Sequence, residues 1–396
     1  MHILHRLALL AVLSLAPGAA RDDEDAVCPY CESDPALMSA VGVVSHGGFG
    51  FGTGNTDSAE RILETLDFVW IESAHFEIGL AIGDHKVKAD ERKKVRAELE
   101  RLAEVLPEVK ASAKVLDPWL RAHLYAQRTE DLWERFLEIV QVDEEEFPDA
   151  QDVWNGVSEF MGQGPYLGQR DKFELLLLPS AETAQRYLTE SFGLPIRGTQ
   201  RWHDIASGTL STTVNLQQAG LRDDQALHGH VVFNLAVSML DGFRHYSYDP
   251  PTWIREGLAH YLERELDPRF NTFDSSEGSR ADMTSKSDWG PEVRRLIQDE
   301  RAPRMAELMG LRDFSALELR HHYATWSLVD WLMSTNPRGF ACYLRGISGL
   351  LNEAGLPDGS NMIDAHRGIV EECLGMRYAE LDVAWRAWAE EHYSAH

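Results

Sequence analysis

The chain is poor in cysteine and in positive charge, and each shortage removes a class of protein. Four cysteines in 396 residues are too few for a disulfide-built scaffold, so stability must come from a buried core. Lys and Arg number 38 against 64 Asp and Glu, a formal charge of −26. A protein that grips nucleic acid through its phosphates needs a basic face, and so does one that docks on anionic lipid. Apolar runs long enough to span a bilayer are missing, as are internal repeats and a G-x-S-x-G nucleophile elbow. What is present is ordinary for a globular protein: 44% hydrophobic, 26% charged and 11 Trp, over a length that allows two or three domains. Neither a nucleic-acid partner nor a membrane span is expected.

Residues 1–20 read as a secretory signal. His2, His5 and Arg6 make a weakly basic start, Leu7 to Ala16 an apolar stretch, and Gly18-Ala19-Ala20 a small-residue cleavage site before an acidic run. The expectation is therefore an exported product, periplasmic or extracellular. Cys28-Pro29-Tyr30-Cys31 has the spacing of a redox pair, but that chemistry needs a strand feeding a helix N-terminus. The few acidic residues ahead of Cys28 supply no strand. The pair could be half of a zinc site, yet no second Cys or His pair follows at finger-like spacing. A local disulfide or structural knuckle is the expectation. Cys342 and Cys373 lie in a helical region and could pair in an oxidising compartment, though sequence does not fix that connectivity.

Along the chain, a Cys- and Gly-containing lead (21–66) precedes a strand and helix region with a helical insertion (67–222), then a core segment (223–292) and a helical C-terminal region (293–396). The Gly47–Gly54 stretch lacks the Lys-Ser/Thr of a phosphate loop and reads as a flexible lead-in. Residues 68–82 read as a strand or hairpin, and 89–106 as a helix with Val95, Leu99 and Leu102 on its inner side. Residues 116–139 read as an aromatic-rich helix, and the acidic run at 142–149 as a solvated connector without calcium-loop spacing. Phe173–Leu178 is a buried strand, with Ser180 capping the helix after it, and Ser211–Leu216 a short strand. Residues 271–292 read as a polar, mobile surface loop.

Two helices then carry polar pairs at i, i+4, the spacing that places side chains on one face. The first, Ala226–Leu240, is apolar nearly all round yet holds His230 and Asn234; the second, opening at Pro251, holds Glu256 and His260. Packed together, two such helices can converge four ligand-type groups, as in zinc hydrolases built on H-E-x-x-H. Pro251-Thr252-Trp253-Ile254-Arg255-Glu256-Gly257-Leu258-Ala259-His260-Tyr261 closely resembles the P-x-W-L-x-E-G-L-A-x-Y helix of the gluzincin zinc peptidases, particularly their peptidase-MA-like relatives among exported bacterial proteins. The stretches 73–79, 173–182, 323–332 and 381–388 are similar to that family's framework in a more generic way.

The resemblance implies an α+β, zincin-like mixed sheet with a two-helix core and a helical C-terminal region. It places Glu256 at a metal-ligand position. The segment standing at H-E-x-x-H is His230-Val231-Val232-Phe233-Asn234, so the catalytic glutamate is Val231 and the second histidine ligand is Asn234. Valine cannot take a proton from water, and an amide oxygen is a poor zinc ligand beside imidazole. The reading that follows is an exported peptidase-like protein that has lost catalysis and acts as a binding or structural module, with a peptide or protein ligand in its cleft. The alternative is a zinc-dependent hydrolase with a non-standard ligand set drawn from His230, Glu256, Asn234 and His260, with His228 a doubtful substitute. Tyr323 stands where related aminopeptidases keep a transition-state tyrosine. The family's mode of substrate binding also implies that an edge strand around Val214 could hold an extended peptide.

Overall fold

A computed structural model describes residues 27–146, 172–204, 209–218, 220–243, 250–273, 287–311, 314–347 and 362–395. The signal-like segment, most of the 271–292 loop and the end of the acidic connector lie outside these. Asp34 caps the first helix, α1 (Pro35–Ala40), by accepting from the amides of Ala36 and Leu37. The glycine-rich lead is not a loose tether. It forms a hairpin of β1 (Gly50–Phe51) and β2 (Gly54–Asn55), with Gly52 turning at φ 60°. The Gly52 amide donates to the buried Glu174 carboxylate at 2.7 Å, and a Cβ there would stand 2.6 Å from the Tyr187 hydroxyl. Glycine is needed for both reasons. Asn55 then caps α2 (Thr56–Ile62).

The apolar alternation at 68–82 gives the antiparallel hairpin β3 (Val69–Glu72) and β4 (Phe76–Leu80). Short strands β5 (His85–Lys86) and β6 (Val115–Leu116) pair around α3 (Arg92–Ala103), which buries Val95, Leu99 and Leu102 on one side. Asp117 caps the long α4 (Pro118–Val140), whose Pro118 occupies the first turn, where no amide hydrogen is missed. Strand β7 (Phe173–Leu178) is buried at all six positions, and Ser180 and Thr183 form a capping box on α5 (Ala181–Phe192). Strands β8 (Gln200–Asp204) and β9 (Thr209–Asn215) complete a five-stranded sheet in the order β3-β4-β7-β9-β8. The central three strands run parallel and both edges run antiparallel. Val214 therefore lies on an interior strand, opposite Leu177 of β7, and the edge expected there belongs to β8, which is half-buried throughout. A strand with neighbours on both sides has no free amides or carbonyls to offer a peptide.

The second half is helical: α6 (Asp224–Gly242), α7 (Thr252–Leu266), α8 (Gly290–Gln298), α9 (Met305–Gly310), α10 (Leu319–Thr335), α11 (Pro337–Ile347), α12 (Met362–Leu374) and α13 (Tyr378–His392). The molecule is thus α+β with a mixed sheet and a helical C-terminal region. One apolar core runs from Val43 to Tyr393, and α6 lies almost wholly inside it. Arg128 ties α3, α4 and α6 together through 2.7 Å ion pairs to Glu98 and Asp224. Cys342 and Cys373 form a disulfide between α11 and α12. Ser327 on α10 accepts from Trp385 Nε1 at 2.9 Å and from the Tyr393 hydroxyl at 3.0 Å, which fastens the last helix. Among the described residues no helix is long and apolar enough to cross a membrane. At the ends of the 271–292 stretch, Thr272 and Trp289 are core residues, and only residues 274–286 of it are not described.

Candidate functional site

Helix α6 is buried because apolar residues surround it on nearly every side, so its polar side chains must find partners inside the protein. His230 finds two hydroxyls: Nε2 lies 2.7 Å from Thr199 Oγ1 and Nδ1 lies 3.1 Å from Thr272 Oγ1. Asn234 accepts from Arg201 at 2.6 Å through Oδ1 and donates to the His230 carbonyl at 2.8 Å. Val231 is 1% exposed and part of the core. Thr199 and Arg201 sit just before and on edge strand β8, so the edge is fastened directly to the helix face. A guanidinium at Asn234 also opposes a divalent cation there by simple repulsion.

Glu256 and His260 come together, but their third partner is His322 of α10. His260 Nε2 stands 3.0 Å from His322 Nδ1, and Glu256 Oε2 lies 3.4 Å from His322 and 3.7 Å from His260. All three are 1% exposed or less. Neither oxygen of Glu256 has a hydrogen-bond partner among the described residues. One ligand atom from each residue falls within 4.8 Å of the others. Burial holds the His260 pKa well below the ordinary imidazole value, and His322 and the Arg264 cation push the same way. Phe233, Phe273 and Trp289 wall in its ring.

His230 connects to this group by a relay. Thr272 Oγ1 donates to Glu263 at 2.6 Å, and Glu263 Oε2 stands 3.4 Å from His260 Nδ1. Burial pushes the Glu263 carboxyl up to about 8, so it is mostly protonated at neutral pH and can donate in turn. Of the residues implied by the zinc-peptidase resemblance (His230, Glu256, Asn234 and His260), His230 and Asn234 hydrogen-bond to Thr199, Thr272 and Arg201, while Glu256 and His260 meet His322. His228 faces elsewhere, with Lys94 Nζ at 3.3 Å and Glu98 at 3.9 Å. Tyr323 packs edge-on against Trp289, outside the Glu256 group, and burial followed by the Glu292 charge pushes its pKa up to about 12. His322 was legible only as a second histidine beside His321 on a helix; nothing in the spacing tied it to Glu256.

A cavity of about 310 Å³ opens between α3, α4, α6 and α7. Lys94, Arg128 and Arg135 share its wall with Glu98 and His228, over apolar side chains such as Leu262. It combines fixed charge of both signs with an apolar floor, the make-up of a ligand pocket.

Cys28 and Cys31 are free thiols, so of the two expectations, a local disulfide or a structural knuckle, the disulfide is not formed. Cys28 Sγ lies 3.2 Å from His123 Nε2, and Cys31 Sγ lies 3.7 Å from His46 Nε2. Burial pushes the Cys28 thiol up to about 12 and the His123 imidazole down to about 4, the latter helped by His46. The two histidines come from a loop and from α4, 15 and 95 residues away, so no local spacing announces them.

No family model matches the chain, and no curated protein matches it either.

Proposed function

We propose that this chain is an exported, zinc-peptidase-like scaffold without peptidase chemistry, acting as a binding module. The observation that carries the reading is the fastening of strand β8 to helix α6, through Thr199 on His230 and Arg201 on Asn234. In a working enzyme of the resembled kind, that face would hold the metal and its water. Here a cation and a hydroxyl occupy its polar groups, and Val231 supplies no base. Binding then falls to other surfaces, such as the cavity around Lys94 and Arg128, whose mixed charge suits a zwitterionic segment of peptide. The test is a panel of peptides and esters incubated with the zinc-supplemented protein, with and without chelator. No chelator-sensitive turnover is expected. Turnover that disappears on Glu256→Gln would refute the reading.

One observation favours a second reading, a metal held by Glu256, His260 and His322. Their ligand atoms are mutually within reach of one ion, and a buried carboxylate without hydrogen bonds gains from one. Two imidazoles and a glutamate form a common zinc set, and the ion would supply Lewis-acid chemistry. Loss of one metal equivalent on His322→Ala would support it; an unchanged metal content would remove it.

A further inference from the structure

We propose that Cys28, Cys31, His46 and His123 form a structural zinc site that fastens the start of the chain to helix α4. The inference is independent of the peptidase resemblance and involves none of its residues. Four ligand atoms, two sulfurs and two nitrogens, lie within 4.8 Å of one another. Around one tetrahedral zinc with Zn–S of about 2.3 Å and Zn–N of about 2.0 Å, neighbouring sulfur and nitrogen stand about 3.5 Å apart. The observed Cys28–His123 and Cys31–His46 separations are 3.2 and 3.7 Å.

The local fold is that of a metal knuckle. The Cys28 carbonyl accepts from the Glu32 amide at 2.8 Å and the Cys31 carbonyl from the Asp34 amide at 2.7 Å, so the chain folds back around both sulfurs. Cys28, Cys31 and His123 are 1% exposed or less, among Leu116, Leu120 and Leu124. Such surroundings disfavour net charge. Zinc answers that: it displaces the two thiol protons to solvent, and two thiolates cancel its charge while both imidazoles stay neutral. A redox role fits poorly, because a reactive cysteine needs an electropositive, partly exposed setting. An open fourth position is also lacking, since all four ligands come from protein, and this marks the ion as structural rather than catalytic.

The site adds to the other ties of this segment, which include the Tyr30 hydroxyl on Asp117, the Ser45–Glu72 bridge and Val43 in the core. Removing the ion loosens the Cys28–Cys31 turn against His123 of α4, while Tyr30 on Asp117 and His46 against Trp119 stay in place.

The test uses the purified protein, kept reduced, with metal content measured by mass spectrometry. About one zinc per chain is expected from this site, retained in Glu256→Gln and His322→Ala and lost in Cys28→Ser and His123→Ala. Replacement by cobalt should give the sulfur-to-cobalt charge-transfer absorption of a tetrahedral two-thiolate site, which no set of carboxylate and imidazole can produce. Should the variants fail to fold, a thiol-specific mercurial added to the wild type should release one zinc for each pair of thiols titrated. A Cys28–Cys31 disulfide in that protein, zinc release independent of thiol modification, or cobalt without the sulfur band would each overturn the proposal.

Discussion

Gly257 lets α7 approach α10, and adding one methyl group there tests how tightly that contact positions the Glu256 group. A Cβ at residue 257 would lie 2.6 Å from the Thr325 carbonyl oxygen, 2.9 Å from Val329 Cγ2 and 3.0 Å from the Thr325 carbonyl carbon. Two effects oppose each other in Gly257→Ala. Alanine is a better helix former than glycine by about 0.8–1 kcal/mol. Overpacking costs about 1–3 kcal/mol, and the obstacle here is backbone, which no rotamer change can move aside. The helices must part by nearly 1 Å, which forfeits a quarter to a half of the dispersion contact along that line. The balance is a net loss of up to about 2 kcal/mol, towards the upper end because the obstacle is backbone. Thr325 Oγ1 donates to the His322 carbonyl at 3.1 Å, so the displacement carries to His322 and loosens its approach to Glu256. Urea unfolding followed by circular dichroism measures the first effect, with Gly368→Ala as the control. Gly368 is an exposed helical position with nothing within 4 Å of its added Cβ, and should gain about 0.5–1 kcal/mol. If Gly257→Ala proves as stable as wild type while Gly368→Ala shows its gain, the tight α7–α10 contact is wrong.

Three further outcomes follow from other parts of the molecule. Replacing both Cys342 and Cys373 by Ala opens a bridge with a sequence separation of 31 and should cost about 4 kcal/mol by the loop-entropy relation, read from denaturant midpoints at equal m; a loss under about 1 kcal/mol would contradict it. Arg128→Met should cost about 3–5 kcal/mol at neutral pH because it strands Asp224, which is 1% exposed. Adding Asp224→Asn should recover part of that loss, and no recovery would mean that Arg128 acts mainly through Glu98. Stability should fall on acidification below about pH 6.5. His46, His123, His203, His228, His260 and His321 all have lowered pKa values in the fold, so the unfolded chain binds more protons there and acid favours it. His75 is raised, because Glu130 and Glu144 outweigh the burial that lowers it, and burial raises the Glu263 carboxyl to about 8. Both oppose the trend, each losing its contribution as pH rises through its own pKa in the fold, but six histidines outnumber them. A melting temperature that climbs from pH 7 to pH 5 would refute the balance.

Much of the fold was legible because its signals are local. The hairpin at 69–80, the buried run 173–178 and the all-apolar α6 each follow from side-chain period and flanking turns. The position of Val214 was not legible, since strand order depends on which segments meet, and β8 (with Trp202 and His203) carries no clear alternation. The glycine-rich lead was misread for the same reason: its anchor, Glu174, lies 122 residues away. At the site, i, i+4 spacing gave Glu256 with His260, and it gave Asn234 beside the His230 backbone. What spacing could not give was the partner on another helix or strand. His322, Thr272, Arg201, His46 and His123 all enter through tertiary contacts, and they decide which candidate groups converge.

The central claim is that the face of α6 under strand β8 is closed to metal. Anomalous diffraction at the zinc edge from crystals grown with zinc tests it most directly. The account expects a peak enclosed by Cys28, Cys31, His46 and His123, with His230 still on Thr199 and Asn234 still holding Arg201. A peak within bonding distance of both His230 and Glu256, with Arg201 swung away, would contradict it and restore a peptidase-type centre.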